Sequence, residues 1–132
     1  MKKIAIFFII IACFFLEIAT ADNIVYDIYS AAKKSSMSNK PIFYVIASTN
    51  CTHCVHFIKN TITPNFKSIN ENFVFALSNL ENDDKIPSDI PFNGTTPSTY
   101  IISSSGEILE GPIEGDFNQE YYKKLVQEFG VK

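Results

Sequence analysis

The sequence contains no tryptophan and no arginine, and only three of its 132 residues are cysteine. With no arginine, and with lysines dispersed rather than gathered into a stripe or tail, it lacks the basic surface that binds nucleic acid. Three cysteines, one of them Cys13 near the start, are too few for the spaced disulfide pairs that staple small exported domains. No internal repeat or low-complexity tract is present. The length leaves room for one small domain and none for a second. In place of tryptophan the sequence has 12 Phe and 6 Tyr, of which 8 Phe and all 6 Tyr lie after residue 21 and supply the large side chains of a core.

Residues 1–21 differ from the rest. "MKK" is a short basic start, "IAIFFIIIACFFL" an apolar run, and "IATA" ends with Ala19 and Ala21 at A-x-A spacing. This pattern predicts a secretory signal peptide cleaved before Asp22. The apolar run of residues 4–16 is shorter than the roughly 20 residues that span a bilayer, which argues against a permanent anchor. A lipid anchor on Cys13 after "IIA" is a further alternative, disfavoured by the apolar "FFL" that follows. Cleavage removes Lys2, Lys3 and Glu17, so the 11 Lys and 14 acidic residues fall to 9 and 13, a formal charge of −4.

Two cysteines then remain, Cys51 and Cys54, in "NCTHCVHF". A disulfide closing so short a loop removes little entropy from the unfolded chain, so its value is chemical rather than structural. Upstream, "NIVYDIYSAAKKSSM" has helical spacing at Val25, Ile28 and Ala32, with Asp22 or Asn23 as N-cap. "NKP" breaks that helix, and "IFYVIAS" follows as a continuous apolar run suited to a central strand buried on both faces. Val55, Ile58 and Ile62, with Phe57, restore a helical period after the cysteines. Thr63 and Pro64 read as the N-cap and first position of another helical segment, with a break or kink between the two.

"NFVFALSN", residues 72–79, is a second buried strand, and residues 81–95 are an irregular Pro-rich connection with at most one helical turn. "TTPSTYIIS", a turn at 104–106 and "EILEG" form a hairpin. Asp116, with Gln119 three positions on, resembles a capping box for a last helix whose apolar face is Phe117, Tyr121, Leu125 and Phe129. The order helix, strand, helix, strand, loop, strand, strand, helix predicts an α/β fold: a mixed sheet, parallel at its βαβ unit and antiparallel at the hairpin, with helices on both faces.

The cysteines fall where open α/β sheets place their chemistry, at the carboxyl end of a central strand where a helix begins. There the exposed N–H groups and the positive end of the helix dipole favour a thiolate at Cys51, which becomes the attacking sulfur. Cys54, one turn on, is the group that attacks a mixed disulfide from within. His53 lies between them, placed to favour the Cys51 thiolate and so make the disulfide more oxidising. His56 lies one turn beyond His53 and carries a weaker case. The haem-attachment pattern C-x-x-C-H fails at Val55. Zinc or copper held by Cys51, Cys54 and one or both histidines is the alternative, though four ligands would crowd a single turn. A second feature is Pro97, which opens a strand after Thr96. Proline cannot donate to a sheet ladder and belongs at a strand's start or edge, and an X-Pro bond there is a candidate for the cis form.

A buried strand running into C-x-x-C on a helix, a later Thr-Pro opening a hairpin, and an amphipathic closing helix together resemble the thioredoxin superfamily over residues 24–130, and within it exported thioredoxin-like proteins. The resemblance implies a thioredoxin fold and a thiol-disulfide oxidoreductase with Cys51 as nucleophile, Cys54 as resolving cysteine and Pro97 as the cis-proline facing them. Thr96 would offer its backbone to a substrate peptide by β-type pairing. It also implies a periplasmic monomer without cofactor that exchanges with exported protein thiols or disulfides and with a membrane redox partner. Three positions depart from thioredoxin itself: Asn50 replaces the Trp before the first cysteine, Thr52 and His53 replace Gly-Pro, and Val45 stands where a buried Asp is expected. The lost carboxylate removes a proton acceptor for Cys54. A histidine before the second cysteine is shared with disulfide oxidases and protein disulfide isomerases, and "GTTP" is similar to the corresponding segment of periplasmic disulfide isomerases. Whether the pair reduces or oxidises its substrates is left open by these residues.

Overall fold

The computed structural model describes residues 24–131. The predicted leader, Cys13 and the two candidate caps Asp22 and Asn23 lie outside that range. The first helix, α1, covers Ile28–Ser38, later than its period suggested, and its N-cap is Asp27, whose carboxylate accepts the N–H of Ser30 at 3.3 Å. Before it the chain is extended, and Tyr26 forms a parallel bridge with Ala76. Val25 and Ala32 are exposed; Ile28, Ala31 and Ser35 form the buried stripe. The helical period is there, but offset, because the preceding residues are spent on the sheet edge.

Strand β1, Ile42–Ala47, is fully buried, as its unbroken apolar run requires. It pairs in parallel with β2, Val74–Asn79, and antiparallel with β3, Ser98–Ile102, which pairs antiparallel with β4, Ile108–Glu114. The sheet order is β2-β1-β3-β4, which puts the strand that feeds the cysteines in the interior. The β3/β4 register shifts at Tyr100, where Gly111, at φ +117°, lets the strands close: a Cβ there would lie 2.7 Å from the Thr99 carbonyl oxygen. The Gly111–Pro112 bond that follows is cis, a feature the sequence reading did not anticipate.

Alternation along the strands splits the core in two. Phe43, Val45 and Ala47 of β1, Phe75 of β2 and Ile101 of β3 face the helices that carry and follow the cysteines. Ile42, Tyr44 and Ile46, with Tyr100 and Ile102, face α1 and the irregular segment that contributes Leu80, Ile86, Ile90 and Phe92. Helices therefore cover both faces of a mixed sheet, and the fold is α/β as predicted.

The helix after the cysteines does not break at Thr63. Helix α2, Thr52–Phe57, runs on through a π-helical turn at Ile58–Ile62 and a 3₁₀ turn at Thr63–Asn65 into α3, Phe66–Asn72. Thr63 keeps helical torsions and donates its N–H to the Ile58 carbonyl, so it is not an N-cap. Pro64 has no N–H to offer and is accommodated by the widened turn before it rather than by a capped restart.

The last helix, α4, covers Gln119–Phe129 and is capped by Asn118, whose side chain accepts the N–H of Tyr121 at 3.0 Å. The predicted cap, Asp116, is engaged elsewhere. Starting the helix at Gln119 turns Tyr122, Leu125, Val126 and Phe129 toward the core, an i, i+3, i+4, i+7 stripe, and leaves Tyr121 at the surface against Phe117. Tyr122 is 2% exposed and its hydroxyl meets Ser68 at 2.7 Å.

Candidate active site

At the end of β1 the chain turns on Ser48. Its carbonyl accepts the N–H of Cys51 at 3.2 Å, and its hydroxyl accepts the N–H of Asn50 at 3.3 Å while donating to Glu81 at 2.8 Å. This turn presents Cys51 as the N-cap of α2. A cap residue uses its side chain to accept one of the N–H groups that the first helical turn leaves unpaired. Here the acceptor is sulfur: Cys51 Sγ takes the N–H of Cys54 at 3.1 Å. The capping role that usually falls to serine or aspartate therefore falls to a thiol, and the bond strengthens when that thiol becomes a thiolate.

The two sulfurs are free thiols in unlike environments: Cys51 is partly accessible, whereas Cys54 is 1% exposed within the cluster of Val45, Ala47 and Phe57. Burial pushes the Cys51 thiol up, but the Cys54 and Thr96 side chains and the N–H groups of Cys54 and His53 outweigh it, and the net direction is down. The Thr96 carbonyl, 3.5 Å from Cys51 Sγ, accepts only from the neutral thiol and so works weakly against the N–H donors. For Cys54 burial dominates, the neighbouring Cys51 adds to it, and the thiol is pushed up. One sulfur is thus favoured as a thiolate and the other as a thiol.

Thr96 and Pro97 come to this pair from 45 positions away in sequence. The Thr96–Pro97 bond is cis, and Pro97 is among the fully buried side chains. Pro97 O accepts the N–H of Gly115 at 2.8 Å, tying the start of β3 to the end of β4. Cys51, Cys54, Thr96 and Pro97 are thus brought together. His53 is exposed on the first turn of α2, and the group by which it reaches Cys51 is its backbone N–H. Val45, fully buried, occupies the cysteine side of β1, and no carboxylate is among the groups acting on Cys54.

His56 meets Asp116, Nδ1 to Oδ2 at 2.9 Å. Among the described residues no three His, Cys, Asp or Glu side chains converge as metal ligands would. Ser48, Glu81, Gly115 and the His56–Asp116 pair were missed by sequence reasoning. Each acts through a contact to a distant segment, and only the second histidine of "NCTHCVHF" gave any signal.

No protein-family model matches the sequence, and no curated protein matches it significantly. Solved structures do. A thioredoxin from Thermus thermophilus superposes with a TM-score of 0.60 at 15% identity, over 81% of this chain and 86% of that one. A structure described as DsbH oxidoreductase gives 0.59 at 14% identity, over 85% and 88% of the two chains. The oxidised C-terminal domain of Neisseria meningitidis DsbD gives 0.54 at 11% identity, over 80% and 99%. At such identities the likeness is one of backbone, and it agrees with the sheet order and the helix placement: the chain has the thioredoxin fold.

Proposed function

We propose that the chain is a thiol-disulfide oxidoreductase that exchanges disulfides with exported proteins through Cys51 and Cys54. The observation that carries this reading is the inequality of the two sulfurs: a partly accessible Cys51 whose thiolate is favoured by the start of α2, beside a buried Cys54 whose thiol is disfavoured from ionising. In the reducing direction the Cys51 thiolate attacks one sulfur of a substrate disulfide. A Cys51–substrate bond forms, the substrate S–S bond breaks, and the departing sulfur leaves as a thiolate that takes a proton from water. Cys54 then loses its proton, attacks Cys51 Sγ and expels the second substrate thiolate. The substrate gains two electrons and the protein is left with a Cys51–Cys54 disulfide. Run backwards, the same steps oxidise a dithiol.

Thr96, whose carbonyl lies 3.5 Å from Cys51 Sγ, would offer its backbone to a substrate strand by β-type pairing, with Pro97 buried beside it. His53, exposed beside Cys51, would stabilise the thiolate electrostatically when protonated and so raise the reduction potential. The leader-like residues 1–21 direct the reaction to the periplasm, where a membrane redox protein resets the pair, and lipidation of Cys13 is the less favoured arrangement. The chain acts as a monomer without a cofactor. The test is disulfide exchange by purified protein with an insulin or peptide-disulfide substrate: exchange that persists in Cys51→Ser would remove the basis of the assignment.

A further inference from the structure

His56 is left without a part in the exchange chemistry, yet it lies on the helix that carries both cysteines and pairs with Asp116 at 2.9 Å. Asp116 follows Gly115, whose N–H holds the Pro97 carbonyl at 2.8 Å. Thr96, the residue before Pro97, places its carbonyl 3.5 Å from Cys51 Sγ. The contacts close a ring: Cys51, Thr96, Pro97, Gly115, Asp116, His56, and back along α2 to Cys51. Two further contacts fasten the same segment to the same helix, the Thr61 hydroxyl to the Phe117 carbonyl at 2.6 Å and the Phe57 and Phe117 rings at 4.8 Å. Neither of those changes with pH. The His56–Asp116 link does, because imidazoles change charge between about pH 5 and 8.

We propose that His56 and Asp116 are positioning residues for the exchange reaction: a titratable link that fixes the helix carrying the cysteines against the Thr96–Pro97 loop and so sets the position of Cys51 relative to the Thr96 backbone. The pair sits in a cleft of about 310 Å³ whose remaining lining, Asn60 and Thr61 from the helical side and Phe117 to Gln119 from the segment leading into α4, carries no charge. The two partners are therefore the titratable groups facing one another across it. With His56 protonated the link is an ion pair and the ring is closed. With His56 neutral, a single weaker hydrogen bond remains, and the Thr61 and Phe57 contacts carry more of the hold on the segment. Both side chains reach solvent, so the effect is modest and screened by salt.

What that positioning does for exchange rests on the reading above; the coupling itself does not. The experiment follows the backbone amides of Thr96 and Gly115 in the reduced protein by ¹⁵N NMR from pH 5 to 8, beside the His56 ring resonances, in wild type, Asp116→Asn and His56→Gln. Peptide-disulfide exchange is timed across the same range. The expected result is that both amides titrate with the His56 midpoint in wild type and lose that titration in either variant. Exchange should be about two- to five-fold slower in the variants at pH 5.5 to 6, the range for an exposed ion pair, and should converge with wild type by pH 8. Amides indifferent to His56 ionisation, or variants that exchange at the wild-type rate at pH 5.5 to 6, overturn the proposal. Amides that titrate with His56 in a protein exchanging no disulfides uphold the link and overturn the oxidoreductase reading instead.

Discussion

The Sγ of Cys51 lies 3.5 Å from the carbonyl oxygen of Thr96, two residues that the sequence separates by 45 positions. That juxtaposition defines the site. It puts a thiol at a helix start beside the backbone just before β3, the segment proposed to pair with an extended substrate.

The first prediction concerns the roles of the two sulfurs. Cys51→Ser removes the attacking group and should abolish exchange. Cys54→Ser leaves the attack intact but removes the resolving sulfur, so substrate should accumulate as a mixed disulfide on Cys51. Mass spectrometry of non-reduced protein after incubation with a peptide disulfide shows which species forms.

The second concerns pH. Only a thiolate is alkylated, so the rate at each cysteine follows its ionised fraction and falls about tenfold per pH unit below its midpoint. Cys51 is held below the ordinary cysteine value, its hydrogen bonds outweighing burial, whereas burial holds Cys54 above it. Alkylation of reduced protein at pH 7 should mark Cys51 well ahead of Cys54. Replacing Cys54 with Ala removes one of the hydrogen bonds that favour the Cys51 thiolate, and the Cys51 midpoint should move up.

His53 provides the third. On the proposed role its imidazolium would favour the thiolate and hence the reduced pair, so His53→Ala should make the protein a stronger reductant. The expected fall in potential is up to about 30 mV, equivalent to ~1.4 kcal/mol for a two-electron couple. An unchanged potential would show that this exposed ring leaves the pair alone.

Stability supplies the fourth. Phe57 is fully buried and meets the Phe117 ring edge-on at 4.8 Å, joining the redox helix to the approach to α4. Phe57→Ala should cost about 3 to 5 kcal/mol. Asn118→Ala, which removes the cap of α4, should cost about 1 kcal/mol, whereas Asp116→Ala leaves that cap in place. Urea unfolding midpoints of the three variants rank the contributions.

Much of this architecture is legible in the sequence because local pattern and tertiary role agree. "IFYVIAS" is apolar at every position of β1 because the strand is covered on both faces, and the cysteines follow it directly. Thr96 and Pro97 advertise a strand entrance by chemistry alone. Where the sequence misleads, a long-range partner has outbid a local one. Asp116 and Gln119 have the spacing of a capping box, but His56, 60 positions away, takes the Asp116 carboxylate and the cap passes to Asn118. Thr63-Pro64 has the form of a helix start, yet the π turn at Ile58–Ile62 carries the chain through it. Ser48 and Glu81 show no motif at all, because their contact joins the ends of two neighbouring strands.

The measurement that tests the central claim most directly is a glutathione redox titration of the chain from Asp22 onward under metal-free conditions, reading the Cys51 and Cys54 thiols. The account predicts one reversible two-electron transition, within the roughly −270 to −120 mV spanned by thioredoxin-fold oxidoreductases, and its disappearance in Cys51→Ser. Thiols that never form a reversible Cys51–Cys54 disulfide anywhere in that range would contradict it.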